Sequence, residues 1–485
     1  MLGQSGYRVL GRDLSIPAGV ELTCGGAPVG EWQAGRAWSD VPCVLLVASS
    51  RTVRVQANAT VSNLIIMRDG LTQPHSMRNA IDMLREFAGT GITIGGSDAW
   101  VKKVMVLGFS TCIRNDGFER EEVRDLYGDC DNGSVVNGSH DISRLQNVHF
   151  WPFAIGHAAW SNNGRYDIRG LSANARGGVR VRIVPGAEAP RSGDWISLYG
   201  VQGVPYTLRR RYQVSVVSPT ELDLQNSSWP AAATTTLKIT AGSTTAFAAD
   251  SSALGSGMTV EGPGIQPGTV TTGTAATWVE LSKAAVTSLP GSAVIVRPAS
   301  QPGGQAVIDL TYRPGTGFLF ANGENNQCLS CFDYGHAIGY HLGDRAGWTE
   351  LSDSSADAAE TENPDSIGFL LSSGSYDSLI RGGFISSKGH ALYVASGGDS
   401  PAHKIVGVSF NNASASSAVL TFLSGAAILV GCTVAPYAPL AGASAGTILV
   451  ADGAGRLTFD ANDFGAARTI IPNSKAAARL TGAHP

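Results

Sequence analysis

Lys404-Ile-Val-Gly-Val-Ser-Phe410 and Ile428-Leu-Val-Gly-Cys-Thr-Val434 are two apolar bursts, each broken by a glycine. Ser378-Leu-Ile-Arg-Gly-Gly-Phe384 precedes them and Arg456-Leu-Thr-Phe-Asp-Ala-Asn-Asp-Phe464 follows, so Leu379, Ile405, Ile428 and Leu457 recur at spacings of 26, 23 and 29 residues. A quasi-period of that size suits one coil of a solenoid, in which each coil lays short strands onto those of the coil before it. Outward loops do not enter the stack, so their lengths vary freely and strict sequence repeats are not required. The same kind of burst occurs at Val61–Met67, Val101–Phe109, Ile142–Phe150, Tyr166–Leu171 and Cys328–Phe332.

Composition agrees with this reading. The chain carries 60 glycines in 485 residues, well above the usual ~7%, and its 15% of charged residues is low against the usual ~25%. A hydrophobic share of 43% is too high for a disordered linker. Helix-favouring runs are scarce, whereas Val, Ile, Thr and Phe cluster between Gly, Asn, Asp and Ser, the pattern of strands and turns. The expected fold is therefore all-β, a right-handed parallel β-helix. A propeller would instead show a blade signature every ~40–50 residues.

The middle of the chain alternates differently. Val179–Ile183, Asp194–Gly200 and Tyr212–Leu224 read as half-exposed antiparallel strands, and after an Ala/Thr bridge at 231–236 a second such group runs through Leu237–Thr240, Gly257–Gly268 and Trp278–Lys283. The expected division is a β-helix part over 1–176, inserted β modules over 177–232 and 233–300, and a second β-helix part over 301–485.

A formal charge of −4 provides no basic field for nucleic acid. The opening Met1-Leu-Gly-Gln-Ser-Gly6 lacks the basic and apolar regions of a signal peptide. Residues 405–451 carry no charge, but Pro436 and Pro439 and many small polar residues interrupt them, so a subunit-facing β surface is expected there rather than a membrane span. Seven cysteines are too few and dispersed for a disulfide framework, and most are expected as small buried apolar side chains. Cys328-Leu-Ser-Cys331 has the spacing of half a zinc site or of a redox pair, but no second pair and no suitable His spacing accompanies it. No phosphate-cradling loop or serine-nucleophile elbow occurs, and no cofactor is expected.

Leu14-Ser-Ile-Pro-Ala-Gly-Val-Glu-Leu22 resembles the first coil of the pectate-lyase-like β-helices of bacteriophage tailspikes. Gly193–Gly203 with Tyr212–Val217, and Gly257–Ile265, are similar to small β modules inserted in phage tail proteins. The resemblance implies a homotrimeric spike on a virion or phage-like particle, in contact with other particle proteins. It also implies binding, and often cleavage, of bacterial capsule, exopolysaccharide or lipopolysaccharide. Tailspikes normally carry an N-terminal anchoring domain, whereas here the β-helix is expected from about residue 13.

Polysaccharide hydrolysis needs two carboxylates, and elimination needs a base with a group that neutralises a uronate. One acidic cluster runs from Asn115 to Asp131 and supplies Glu119, Asp129 and Asp131 as candidate catalytic groups. Phe118–Tyr127 reads there as a short surface helix pairing Glu121 with Arg124. Asp129-Cys-Asp-Asn-Gly133 begins like a calcium loop, but His140 stands where the bidentate Glu belongs. A second acidic stretch, from Asp344 through Glu350 to Asp353, Asp357, Glu360, Glu362 and Asp365, reads as a projecting coil. Its Trp348 lies between the candidate catalytic carboxylates Asp344 and Glu350, where an indole could stack on a sugar ring. Trp151 and Trp160, near His149 and His157, are further candidates for carbohydrate binding. A solvated loop, an apolar loop anchor and core stacking are the respective alternatives.

Overall fold

The computed structural model describes residues 7–9, 11–25, 41, 43–155, 164–205, 208, 210–230, 232–248, 254, 257–275, 278–298, 303–357, 365–387, 389–397, 401–412, 418–436, 447–450, 454–464, 468–470 and 480–482. The chain is a right-handed parallel β-helix with two inserted antiparallel modules. Among the described residues, thirty-one strands form the parallel stack, and twelve more close into two separate barrels.

Each coil has three strand positions. The first two, for example Arg144–Gln146 and His149–Phe150, meet at a sharp corner, and the third, for example Asn132–Asn137, closes the coil. The corner residues stack directly: Asn63, Lys103, Asp125, Asn147, Ser330, Asp353, Gly382, Gly407, Gly431 and Ala461 occupy one column. All are left-handed, with φ from +49° at Asp353 to +65° at Gly382. Gly, and to a lesser degree Asn and Asp, adopt that conformation cheaply, and seven of these ten corner residues are of those types; Lys103, Ser330 and Ala461 are the exceptions. Neighbouring corners also bond, Asn147 Nδ2 donating to Asp125 Oδ1 at 2.5 Å.

Inward side chains stack in register between coils. Val61, Val101, Val123, Leu145, Cys328, Leu351, Ile380, Ile405, Leu429 and Phe459 form one column, and all are buried. This corrects the row read from sequence by one residue: Ile405 pairs with Ile380 and Leu429, not with Leu379 and Ile428. Because the side-chain period of a strand is two, Leu379 and Ile428 lie on the outer face. On the third sheet, Phe318 and Tyr340 stack at 4.6 Å and Tyr340 meets Phe369 edge-on at 5.1 Å.

Tyr166–Leu171, expected as a coil strand, belongs instead to the barrel strand Gly164–Ala173. The first barrel also takes Gln305–Ile308, which pairs with Gly164–Asp167. The second barrel lies wholly between Glu221–Leu224 and Gln305–Ile308, so one barrel is nested in the other. In chain order, the six strands of each barrel follow the same circular arrangement, first-second-fifth-fourth-third-sixth. The single α-helix among the described residues, Met77–Arg85, is capped by Ser76, which accepts from the Asn79 N–H at 3.2 Å. Its Met77, Ala80, Ile81 and Met83 share an apolar cluster with Met67, Met105 and Leu107 of the β-helix and with Tyr166 and Ile168 of the first barrel. No helix among the described residues is long and apolar enough to cross a membrane.

Two further expectations are corrected. Phe118–Tyr127 is not a helix. Glu122–Asp129 is a strand paired on both sides, Arg124 bonds Glu122 at 2.5 Å, and Glu121 is buried. Extended backbone places residues two apart on one face, which wins here because the coil above and below supplies the hydrogen bonds. Four of the cysteines are not thiols: Cys24 is bonded to Cys43 and Cys112 to Cys130. Cys112 and Cys130 meet because the chain returns after about one turn, whereas Cys24 and Cys43 flank one corner of a single coil, under the same strand Thr60–Arg68. Cys328, Cys331 and Cys432 are free and buried. Of the charge-free stretch 405–451, residues 413–417, 437–446 and 451 lie outside the described residues.

Candidate functional site

Where the first barrel docks on the β-helix, a cavity of about 460 Å³ opens between Ile81, Leu84 and Arg85 of the helix, Trp195 and Arg211 of the barrel, and Asp131 with the segment Ile308–Pro314. Asp131 lies just beyond the strand Glu122–Asp129, at the turn into the third strand of its coil. Ile308–Pro314 is the return from the barrel into the next coil. The cavity is therefore built from segments distant in sequence.

Asp129 and Asp131 differ in role although only one residue separates them. Asp129 is buried between the β-helix and the first barrel, accepting from Arg313 Nε at 2.7 Å through Oδ1 and from the Ala154 N–H at 2.8 Å through Oδ2. Arg313 is buried, and its Nη1 donates to the carbonyls of Leu310 and Tyr312 at 2.9 and 3.0 Å. Its Nη2 has no hydrogen-bond partner. Asp131 is half-buried, and burial raises its pKa to about 6, with Asp129 pushing the same way and Arg313 and His336 pulling it back. A buried pair lies nearby: His336 Nδ1 is 2.6 Å from Asp333 Oδ1, and His336 Nε2 is 3.2 Å from the carbonyl of Cys130. Burial raises the pKa of Asp333.

Arg211 holds its guanidinium 4.0 Å from the Tyr312 ring centroid and 5.4 Å from that of Trp195. Desolvation lowers the pKa of Arg211 and raises that of Tyr312. Trp195 is 47% exposed at the rim. The arrangement combines an acid that changes charge near pH 6, two guanidiniums in a partly desolvated space and an indole at the mouth. It can bind an anionic group and move a proton beside it.

The other sequence candidates lie elsewhere. Glu119 sits on a surface turn 3.7 Å from Arg120. Asp344 and Trp348 occupy a different corner, both left-handed, with φ of +43° and +46°. Trp348 is 52% exposed, donates from Nε1 to Asp377 Oδ2 at 3.3 Å and meets Tyr376 edge-on at 6.0 Å. Lys404 Nζ bonds the other oxygen of Asp377 at 3.1 Å, and the Tyr376 hydroxyl donates to Glu324. Glu350 pairs with Arg381 at 2.6 Å and accepts from Ser352 at 2.7 Å. The stretch expected as a projecting coil contains the stacked strands Glu350–Ser352 and Ser355–Asp357. Glu360 and Glu362 are outside the described residues, as are Trp160 and His157. Trp151 stacks on Tyr334 at 4.4 Å and on Phe332 at 5.9 Å on the outer face of the second sheet.

Of the residues singled out in the sequence, Asp131 lines the cavity, with Asp129 anchoring Arg313 beside it. Arg85, Trp195, Arg211, Tyr312 and Arg313 were not legible as site residues. Asp129 and Arg313 are 184 positions apart, and no local motif joins them.

No protein-family model matches the chain, and no curated protein matches it. Among solved structures, the alginate lyase from Paenibacillus sp. str. FPU-7 aligns over 96% of this chain and 99% of its own, at 10% identity and a TM-score of 0.32. A tailspike of Acinetobacter baumannii bacteriophage AP22, in complex with A. baumannii capsular saccharide, aligns over 80% of this chain and 71% of its own, at 8% identity and a TM-score of 0.17. Scores and identities this low leave function to be argued from the residues of this chain.

Proposed function

We propose that the protein binds a bacterial surface polysaccharide and depolymerises it in the cavity between the β-helix and the first barrel. The observation that carries this reading is the convergence of Asp131, Arg211, Arg313 and Trp195 on one space. An indole at the rim suits a pyranose face, and two guanidiniums suit a sugar carboxylate, so the substrate is an acidic polysaccharide containing uronate. Arg211 holds the carboxylate, and the buried Arg313 behind it adds positive charge. Asp131, ionised above about pH 6, takes the proton from the carbon bearing that carboxylate. The electron pair left behind forms a C=C bond to the neighbouring carbon as its glycosidic oxygen departs, taking up a proton. Display as a homotrimeric spike on a virion or phage-like particle belongs to the same proposal and rests on the sequence resemblance.

Incubation with uronate-containing capsule or exopolysaccharide, followed by the absorbance of 4,5-unsaturated uronate, tests the reading. Wild-type protein is expected to form product at a rate that rises as pH passes through about 6, and Asp131→Asn to lose at least ~10²-fold. New reducing ends without unsaturation would replace elimination by hydrolysis. The exposed Trp348 favours a second reading, a non-catalytic adhesin, in which binding persists without any product and Trp348→Ala abolishes it.

A further inference from the structure

Inside the β-helix, at the position leading into the first strand of six consecutive coils, polar side chains replace the apolar column, which resumes as Ala99 and Ala427 on either side. Glu121, Ser143, Asn326, Thr349, Ser378 and His403 stack on one another in consecutive coils, and each is fully or almost fully buried. Neighbouring coils at this spacing lie about 4.8 Å apart. Ser143 bonds both the Glu121 carboxyl and Ser139, and Ser375 Oγ lies 3.4 Å from His403 Nε2.

This corner also collects the orphaned polar atoms. Seven buried side-chain atoms among the described residues have no hydrogen-bond partner, and five are here: Glu121 Oε1, Asn326 Nδ2 and Oδ1, His403 Nδ1 and, on the turn that feeds the corner, Ser396 Oγ. Scattered orphans would be individual packing defects. Orphans on Glu121, Asn326 and His403, three of six side chains stacked along one interior line, point to a partner of one kind, although Ser143, Thr349 and Ser378 between them are bonded within the protein. The partner must both donate and accept, since the Asn326 amide offers one atom of each kind. It must also be small enough to sit between side chains stacked at coil spacing.

We infer that this seam binds a file of ordered water molecules running parallel to the solenoid axis. Each water bridges groups on successive coils and satisfies side chains that the backbone ladder leaves aside. A metal cation does not fit the chemistry. Burial raises the pKa of Glu121, which favours its neutral form, and a cation could not satisfy the Asn326 Nδ2 donor.

A high-resolution crystal structure of the wild-type protein tests this directly. Discrete water density is expected within hydrogen-bond distance of the Asn326 amide and His403 Nδ1. Density that is absent, or that has the coordination of a metal ion, would overturn the inference. Asn326→Leu, of similar volume, gives an independent sign. Removing an amide that water satisfies should lower the unfolding temperature by about 2 °C or more. In a dry seam the same change deletes an unmet cost, so a rise in unfolding temperature would also overturn the inference.

Discussion

Asp129 and Asp131 show how the fold decides what a carboxylate does. Asp129 is buried where the first barrel docks and its charge is matched by Arg313; removing that match leaves a buried charge alone. Arg313→Ala is therefore expected to destabilise the protein by about 3–5 kcal/mol in chemical denaturation, far more than substitution of the exposed Arg120. Asp131 keeps a raised pKa of about 6, so its ionised form costs stability. The sign follows from linkage: the stabilising effect of the protonated form is complete below the ordinary Asp pKa and is lost as pH rises through about 6. Asp131→Asn should therefore unfold at a higher temperature than wild type at pH 8 and at the same temperature at pH 4. Equal behaviour at both pH values would show that Asp131 is not held in its charged form against a cost. The cluster 115–131 was visible in sequence as a concentration of acids. Which of its members face the cavity was not, because that depends on strand parity and on a partner arginine beyond both barrels.

Among elements, the corner column carries the most local information. Its Asn, Asp and Gly residues are readable as strand punctuation, which is why the solenoid was legible from the spacing of apolar bursts. The register was legible only to within one residue, since Leu379 and Ile380 are both apolar and the sequence does not say which points inward. The corner geometry predicts that Asn63→Gly, at φ +52°, is close to neutral, whereas Asn63→Val lowers the unfolding temperature because a β-branched side chain resists the left-handed conformation. Equal effects would contradict a left-handed corner. Deleting inward methyl groups acts differently: Ile405→Ala should cost about 2–5 kcal/mol, while Leu379→Ala, one residue out of the column, should cost much less. The disulfides escaped the sequence reading because a solenoid brings Cys112 to Cys130 only through the length of one coil, which no spacing rule for small secreted domains contains.

For the whole molecule, the nesting of the two barrels separates scaffold from site. The first barrel forms one wall of the cavity through Trp195 and Arg211. Among the described residues the second contributes nothing to that wall, and its terminal strands pair with each other, Ala233 opposite Val296. Replacing residues 233–297 by a short Gly/Ser linker should thus leave the β-helix, the first barrel and depolymerisation intact, as read by circular dichroism and product formation. The alternating segments of 177–300 signalled inserted antiparallel modules, but not that one sits inside the other. Closure of the first barrel depends on Gln305–Ile308 meeting Gly164–Asp167, a pairing across the entire second module.

The central claim is that polysaccharide binds where the first barrel meets the β-helix. Hydrogen–deuterium exchange with and without an acidic oligosaccharide locates the bound chain directly. The account predicts new protection in Trp195–Tyr199, in residues 211–213 and in residues 308–314, with no change at residues 344–350. Protection confined to the Trp348 corner, or none at saturating oligosaccharide, would contradict it.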